Sequence, residues 1–358
     1  MSDRAAVAPT IRRFSGLPPA ASFGVLAALV ALIALGLFAP RPPPSLTPPG
    51  GVTDFALYGR IIDLVRHHVP YEKAAVDQLR AAHWAVRPFV TVRPPLLAVA
   101  LARLPGDAWG DRLMSLLSVT VIAAWAWRLR KESQGPLRAA VIGALMYTSV
   151  AVTFTGVAWS RFHETWAGLL IALSLTLRSE RRFAASVVLG LLAALIRELA
   201  MPYLAVMAAI ALAERRRAEA GAFAAALAAA LVALAWHAQA ESALTAPTDT
   251  LSPSWLTLGG WGMVMTEAQW NLITLLAGQW TAAVLLPLGL LGAAGRRDGL
   301  GLRLTALLTG YVLGFMVVGR PGAIYWGLMI TPLIGFGLCL APAALADLSR
   351  GAAARARS

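Results

Sequence analysis

Two carboxylates and three arginines stand beside apolar runs in this sequence, and their types suit one kind of reaction. Asp54 opens D-F-A-L-Y shortly after the apolar run at 22–39, and Glu164 lies in R-F-H-E-T-W ahead of another. A carboxylate so placed can take the proton of a hydroxyl as that hydroxyl attacks an electrophile. Arg93 in V-R-P-P-L-L, Arg197 in L-I-R-E-L and Arg320 in V-G-R-P-G also border apolar stretches. A guanidinium fork binds phosphate through two parallel hydrogen bonds and can offset the charge of a departing phosphate. Tyr58 and His163 sit close to the carboxylates in sequence and are candidates for substrate contact. Charges near hydrocarbon are expensive, which makes function a fair default for them. Each also has a structural alternative. Asp54 or Thr53 suits a helix N-cap, and Glu164 suits the start of the next helix. Arg197 can pair within the protein, Arg93 can begin the Pro-Pro segment, and Arg320 can snorkel beside Tyr325 and Trp326.

The chain that must position these residues is apolar. Hydrophobic residues make up 58% and charged residues 14% of 358, against about a quarter charged in soluble domains. Mean hydropathy is +0.66. This is the composition of a polytopic membrane protein, read as one domain over 1–358. The net charge of +13 does not point to nucleic acid, because no nucleic-acid module is present and the basic residues punctuate apolar runs. The single cysteine, Cys339, excludes an intrachain disulfide and a cysteine-based metal site.

Apolar runs predict about ten transmembrane helices, at roughly 22–39, 112–128, 137–157, 165–177, 183–196, 199–213, 219–238, 270–293, 303–319 and 323–346. With both termini cytoplasmic, six short segments fall inside, around Arg13, Arg130, Arg181, Arg216, Arg297 and Arg350. Each carries three or more basic residues, as the positive-inside rule expects. The first run ends in F-A-P-R-P-P-P with no small-x-small cleavage site and reads as a retained anchor. The run from Phe183 to Ala213 is too long for one untilted helix and short for two. A short hairpin with Arg197-Glu198 at its turn is expected. If Arg197 and Glu198 are helical, they point about 100° apart, so Glu198 is a poor partner for Arg197, leaving Glu164 or a lipid phosphate.

Residues 40–111 form the longest external segment. After the Pro-rich exit, Leu57, Tyr58, Ile61, Ile62 and Val65 recur at helical spacing, predicting an amphipathic helix on the outer leaflet. Y-E-K-A-A-V-D-Q-L-R-A-A-H-W predicts a second helix. T-V-R-P-P-L-L-A-V-A-L-A-R-L-P, too short to span, predicts a third, interfacial or re-entrant. Together they would roof a cavity.

This order of features resembles the GT-C superfamily of polytopic glycosyltransferases, nearest the protein mannosyltransferase and aminoarabinose transferase branch. The resemblance rests on D-F-A-L-Y after the first run, V-R-P-P-L-L and G-D-R-L-M-S-L-L-S around the second, R-F-H-E-T-W-A-G-L-L-I-A-L-S-L, and L-G-L-L-A-A-L-I-R-E-L-A-M-P-Y. It covers about residues 22–213. Glu164 stands where the family usually has Asp, Arg197-Glu198 where it often has Lys-Pro or Lys-Gly, and Val69 where Gly is common. The resemblance implies an all-α integral membrane enzyme of a bacterial cytoplasmic membrane. Its active site is external and its donor is a polyprenyl-phosphate-linked sugar. Asp54 would then be the base, Glu164 a second catalytic carboxylate, Arg93, Arg197 and Arg320 the lipid-phosphate ligands, and Tyr58 and His163 substrate contacts.

No His or carboxylate spacing forms a metal motif. His163 and Glu164 could join Asp54 around a divalent cation, which the reading does not favour, so the cofactor stays open. Trp255, Trp261 and Trp270 suit either a sugar site or an interfacial belt. Two other classes compete. A transporter or lipid flippase would favour inverted repeats and mid-membrane charges. A non-catalytic envelope-assembly scaffold would not need Asp54 and Glu164.

Overall fold

The computed structural model describes residues 12–41, 51–130, 135–156, 158–319 and 321–354. Arg320, expected in the site, lies outside the described residues. The described chain is all-helical, with β structure confined to isolated bridges. The first helix, α1 (Pro19–Phe38), is the apolar run after Arg13. Three short helices follow in the expected loop: α2 (Asp54–Arg66), α3 (Tyr71–Ala81) and α4 (Leu96–Ala102). Then come α5 (Asp107–Arg128), α6 (Pro136–Val150), α7 (His163–Leu177), α8 (Ala184–Ile196), α9 (Met201–Ala213) and α10 (Arg217–Ser242). The C-terminal part holds α11 (Gly260–Glu267), α12 (Leu272–Ala277), α13 (Ala282–Gly295), α14 (Gly299–Val317) and α15 (Thr331–Ala354). Five described helices are long and apolar enough to cross a membrane: α1, α6 with its continuation to Phe154, α10, α14 and α15.

Two late runs differ from expectation. The run at 270–293 is broken at Gly278, whose φ of 101° suits a residue without Cβ, so α12 and α13 are separate. The run at 323–346 begins as an irregular segment, Pro321–Met329, kinked at Ala323, and becomes α15 only at Thr331. Small residues permit the tightest helix contact. A Cβ on Gly292 would stand 1.9 Å from the Gly337 carbonyl oxygen, so α13 and α15 touch backbone to backbone.

From His163 to Thr176 every residue except Trp166 is buried, as befits a helix apolar all round. α7 is thus the central post. Around it, α8 and α9 form the expected hairpin. Gly190 packs against Tyr203 and Leu204, placing α8 and α9 side by side on either side of Arg197. The Ser174 hydroxyl lies 2.5 Å from Tyr203 Oη and 2.9 Å from Ser186 Oγ, tying α7 to both arms.

The amphipathic helix is a correction. Leu57, Tyr58, Ile61 and Ile62 are buried in the main core, and α2 packs on α3 and α4. Its apolar face is turned into the protein rather than onto a lipid leaflet. Leu97, Ala98, Leu101 and Ala102 of α4 are buried in the same way, giving α2 a protein surface to cover. Cys339 is buried too, its thiol 3.7 Å from the Ile142 carbonyl oxygen.

Candidate functional site

At the end of α7 where it begins, four stretches of chain converge. α2 supplies Asp54 and Tyr58, the turn before Pro94 supplies Arg93, α7 supplies His163 and Glu164, and the α8–α9 turn supplies Arg197 and Glu198. The segment Pro321–Met329 folds over them with Tyr325 and Trp326. Glu164 is fully buried between two guanidiniums. Arg197 Nε is 2.7 Å and Arg93 Nη2 3.7 Å from Glu164 Oε1. The shorter contact is close in distance yet lacks the alignment of a hydrogen bond. The pair is an ion contact, and Glu164 sits as the shared counter-ion.

Arg197 has a second carboxylate, because its Nη1 donates to Glu198. This corrects the expectation that the adjacent Glu198 is a poor partner. Arg197 is extended, with φ −146° and ψ 115°, so the helical divergence of neighbouring side chains does not apply. Arg197 also lies 5.7 Å from the Trp326 ring centroid, a cation–π contact. The internal pairing foreseen as an alternative for Arg197 is therefore present.

Arg93 is engaged differently. Its Nη2 donates to Tyr325 Oη at 2.9 Å, and its guanidinium carbon stands 5.9 Å from that ring centroid. Its Nε has no hydrogen-bond partner among the described residues. Burial opposes its charge, but surroundings that include the carboxylates of Glu164 and Glu198 hold its pKa well above the ordinary arginine value, so it stays cationic. Arg93 lines a cavity of about 40 Å³ together with Tyr58, Tyr71, Trp84, Trp255 and Tyr325. That volume holds one to a few waters, so this conformation is closed to a sugar. Trp255 lies 5.2 Å from Trp326 with the rings 14° from parallel, which makes it part of the roof.

Asp54 is not the helix cap, since the Thr53 hydroxyl accepts the Ala56 N–H at 3.3 Å. Its carboxylate is close enough to Tyr58 to act on that phenol. Burial, chiefly, with help from Tyr325, Asp54 and Glu164 and against Arg93, pushes the Tyr58 pKa well up. Tyr58 thus stays neutral. Its ring meets His163 edge-on at 5.4 Å between centroids. His163 is 3% exposed, and neither ring nitrogen has a partner among the described residues. Among those residues no group of three or more His, Cys, Asp or Glu side chains gathers to hold a metal.

Of the expected site residues, Arg93, Arg197, Glu164, Tyr58 and His163 come together, with Asp54 at their margin. Sequence reasoning missed Tyr325 and Trp326 as site residues. They were legible only as aromatic neighbours of Arg320, because their place depends on how 321–329 folds back. It also left Glu267 without a role. This α11 carboxylate is fully buried beside Gly319, with both oxygens lacking partners among the described residues.

No family model, curated protein or solved structure matches the chain.

Proposed function

We propose that the chain is a membrane-embedded glycosyltransferase of GT-C type. In this reading it has about ten spans, cytoplasmic termini and an external site, and it uses a sugar carried on a polyprenyl phosphate. The observation that carries the reading is Arg93. It is buried, charged, held at one corner by Tyr325, and still has donor capacity beside a cavity bounded by Tyr58. A lipid phosphate would engage Arg93 rather than Arg197, whose charge two carboxylates already offset. Arg320, outside the described residues, remains a second phosphate ligand in this proposal. In the transfer step, an acceptor hydroxyl oxygen bonds to the anomeric carbon of the sugar. The bond from that carbon to the phosphate oxygen breaks, and its electron pair leaves with the phosphate. Asp54 receives the hydroxyl proton, while Arg93 stabilises the charge gathering on phosphate. The closed cavity requires the roof of Tyr325, Trp326 and Trp255 to move before substrate enters, a gating step common in such enzymes.

The test is binding of polyprenyl phosphate to the purified protein in lipid nanodiscs, followed by transfer from polyprenyl-phosphate sugars. Arg93→Ala should weaken binding by about 1.5–3 kcal/mol, the scale of a hydrogen bond to a charged group. Native affinity in that variant would remove the phosphate site. A second reading, a carrier for anionic lipids, draws on the broken helix at Arg197, since interrupted helices commonly form carrier sites. A carrier would bind the same lipid and leave the sugar bond intact.

A further inference from the structure

We propose that Tyr71 and His237 are positioning residues for Arg93, gripping its backbone from two separate helices. The side chain of Arg93 can be aimed only if its main chain is fixed, yet it lies between helices, ahead of Pro94 and Pro95. Proline provides no N–H to help anchor the following turn. Two side chains do the anchoring. Tyr71, the first residue of α3, donates its hydroxyl to the Arg93 carbonyl at 2.7 Å. His237, near the end of α10, places Nε2 3.2 Å from the Val92 carbonyl oxygen. A carbonyl can only accept, so Nε2 carries a proton and donates. Both anchors are buried, Tyr71 at 6% and His237 at 5% exposure, and their ring centroids are 6.5 Å apart. Burial, reinforced by Glu241, pushes the Tyr71 pKa far up, so its hydroxyl remains a donor. The guanidinium end is fixed separately by Tyr325. Arg93 is therefore held at its backbone by α3 and α10 and at its tip by 321–329. Tyr71 also lines the cavity, but the hydrogen bond of each anchor goes to the main chain, not to the guanidinium.

The proposal rests on the reading of Arg93 as a phosphate ligand only for its purpose, and its test separates the two. Purified protein is treated with phenylglyoxal, and modification of individual arginines is followed by peptide mass spectrometry. Loss of one anchoring hydrogen bond should make Arg93 react about three- to tenfold faster in Tyr71→Phe and in His237→Leu. His237→Gln, which keeps an N–H donor, should return the rate towards native. Arg303, buried at the other end of the molecule, should be unaffected throughout. An unchanged Arg93 rate in both variants overturns the proposal, as does an equal rise at Arg303, which marks general loosening. Tyr71→Phe keeps the buried ring in place, so it serves even where His237→Leu fails to fold. In the same proteins, polyprenyl phosphate binding should weaken with Tyr71→Phe, and Tyr71→Phe should add nothing once Arg93 is Ala. If Arg93→Ala itself leaves binding unchanged, the phosphate reading fails while the modification rates still decide the anchoring.

Discussion

Two clusters of buried guanidinium and carboxylate groups lie at opposite ends of α7, about 22 Å apart by the rise of that helix. At the far end the arginines form two-pronged pairs. Arg178 forks onto Glu219 at 2.8 and 2.9 Å, and Arg303 forks onto Glu214 at 2.9 and 2.7 Å. Cross-contacts at 3.6 Å join Arg178 to Glu214 and Arg303 to Glu219. This lattice ties the end of α7 to the α9–α10 turn and to the start of α14. At the near end there is no such fork. Glu164 touches two arginines without an aligned hydrogen bond, Arg93 Nε is left over, and His163 has neither nitrogen engaged. The same residue types therefore do different work. Parallel two-pronged pairs lock helices together, and among the described residues they too leave one donor over, Arg303 Nε, whereas the near end differs in having Arg93 beside a cavity, where the proposed phosphate would meet it.

The largest expected effect is on rate at the near end. Asp54→Asn removes the proton acceptor and should lower transfer about 10²–10⁴-fold. Because Thr53 is the cap, the start of α2 should survive the change and the protein should still fold. A matching fall in stability would mark Asp54 as structural. The next effect belongs to the far end. Arg303→Met takes the fork from Glu214, which is 30% exposed and keeps Arg178 at 3.6 Å, while Glu219 keeps its own fork with Arg178, so the cost should be about 1.5–3 kcal/mol, the scale of hydrogen bonds to charged groups. Thermal unfolding in detergent should show that loss, while the protein that remains folded binds polyprenyl phosphate as before. Reduced affinity in that fraction would erase the distinction between the ends.

Glu164→Gln sharpens the comparison further. It takes a negative charge from beside Arg93, so affinity for polyprenyl phosphate should rise by on the order of 1 kcal/mol or more, the low end of the Coulomb scale for a charge pair at this distance. Arg197 keeps Glu198, which limits the loss of stability. Weaker binding instead would mean that Glu164 chiefly holds the two guanidiniums in place.

How much of this was legible follows from what each feature depends on. The hairpin was readable because 183–213 is a length that neither one straight helix nor two full ones fit, and length is a local property. The three loop helices were readable from spacing. The clustering of arginines in short segments was readable, but not that Arg178, Arg216, Arg296, Arg303 and Arg350 meet acidic partners, because those partners come from how the chain folds. The face on which α2 rests was not readable, because an apolar stripe fits a leaflet and a protein surface equally well. Glu198 was misjudged since the sequence does not disclose that Arg197 is extended. Tyr325 and Trp326 were out of reach because they approach Arg93 and Arg197 across more than a hundred residues, through a kinked segment with no period to read.

The smallest expected effect lies in a third guanidinium pair, which is at the surface and clips the roof of the near end. Arg80 of α3 forks onto Asp249 with both contacts at 2.7 Å and also donates to the Leu244 carbonyl at 2.7 Å. The Ala246 N–H reaches Asp249 Oδ2 at 2.7 Å. These bonds, from Arg80 first and Ala246 second, hold the Asp249 pKa at about 2, below the ordinary aspartate value of about 3.9. A depressed folded value means that the clip is complete above the ordinary value and is lost as pH falls towards about 2. Hydrogen exchange at α3, corrected for the intrinsic rate, should therefore quicken between about pH 4 and pH 2. Asp249→Asn should show the faster exchange already at pH 5, and Arg303 contacts should be indifferent to it. High salt should mimic the variant weakly, since an exposed pair is screened whereas the buried far-end lattice is not. If α3 exchanges equally in both proteins at pH 5, the fork is a surface ornament and α3 is held by Tyr71 and its apolar face alone.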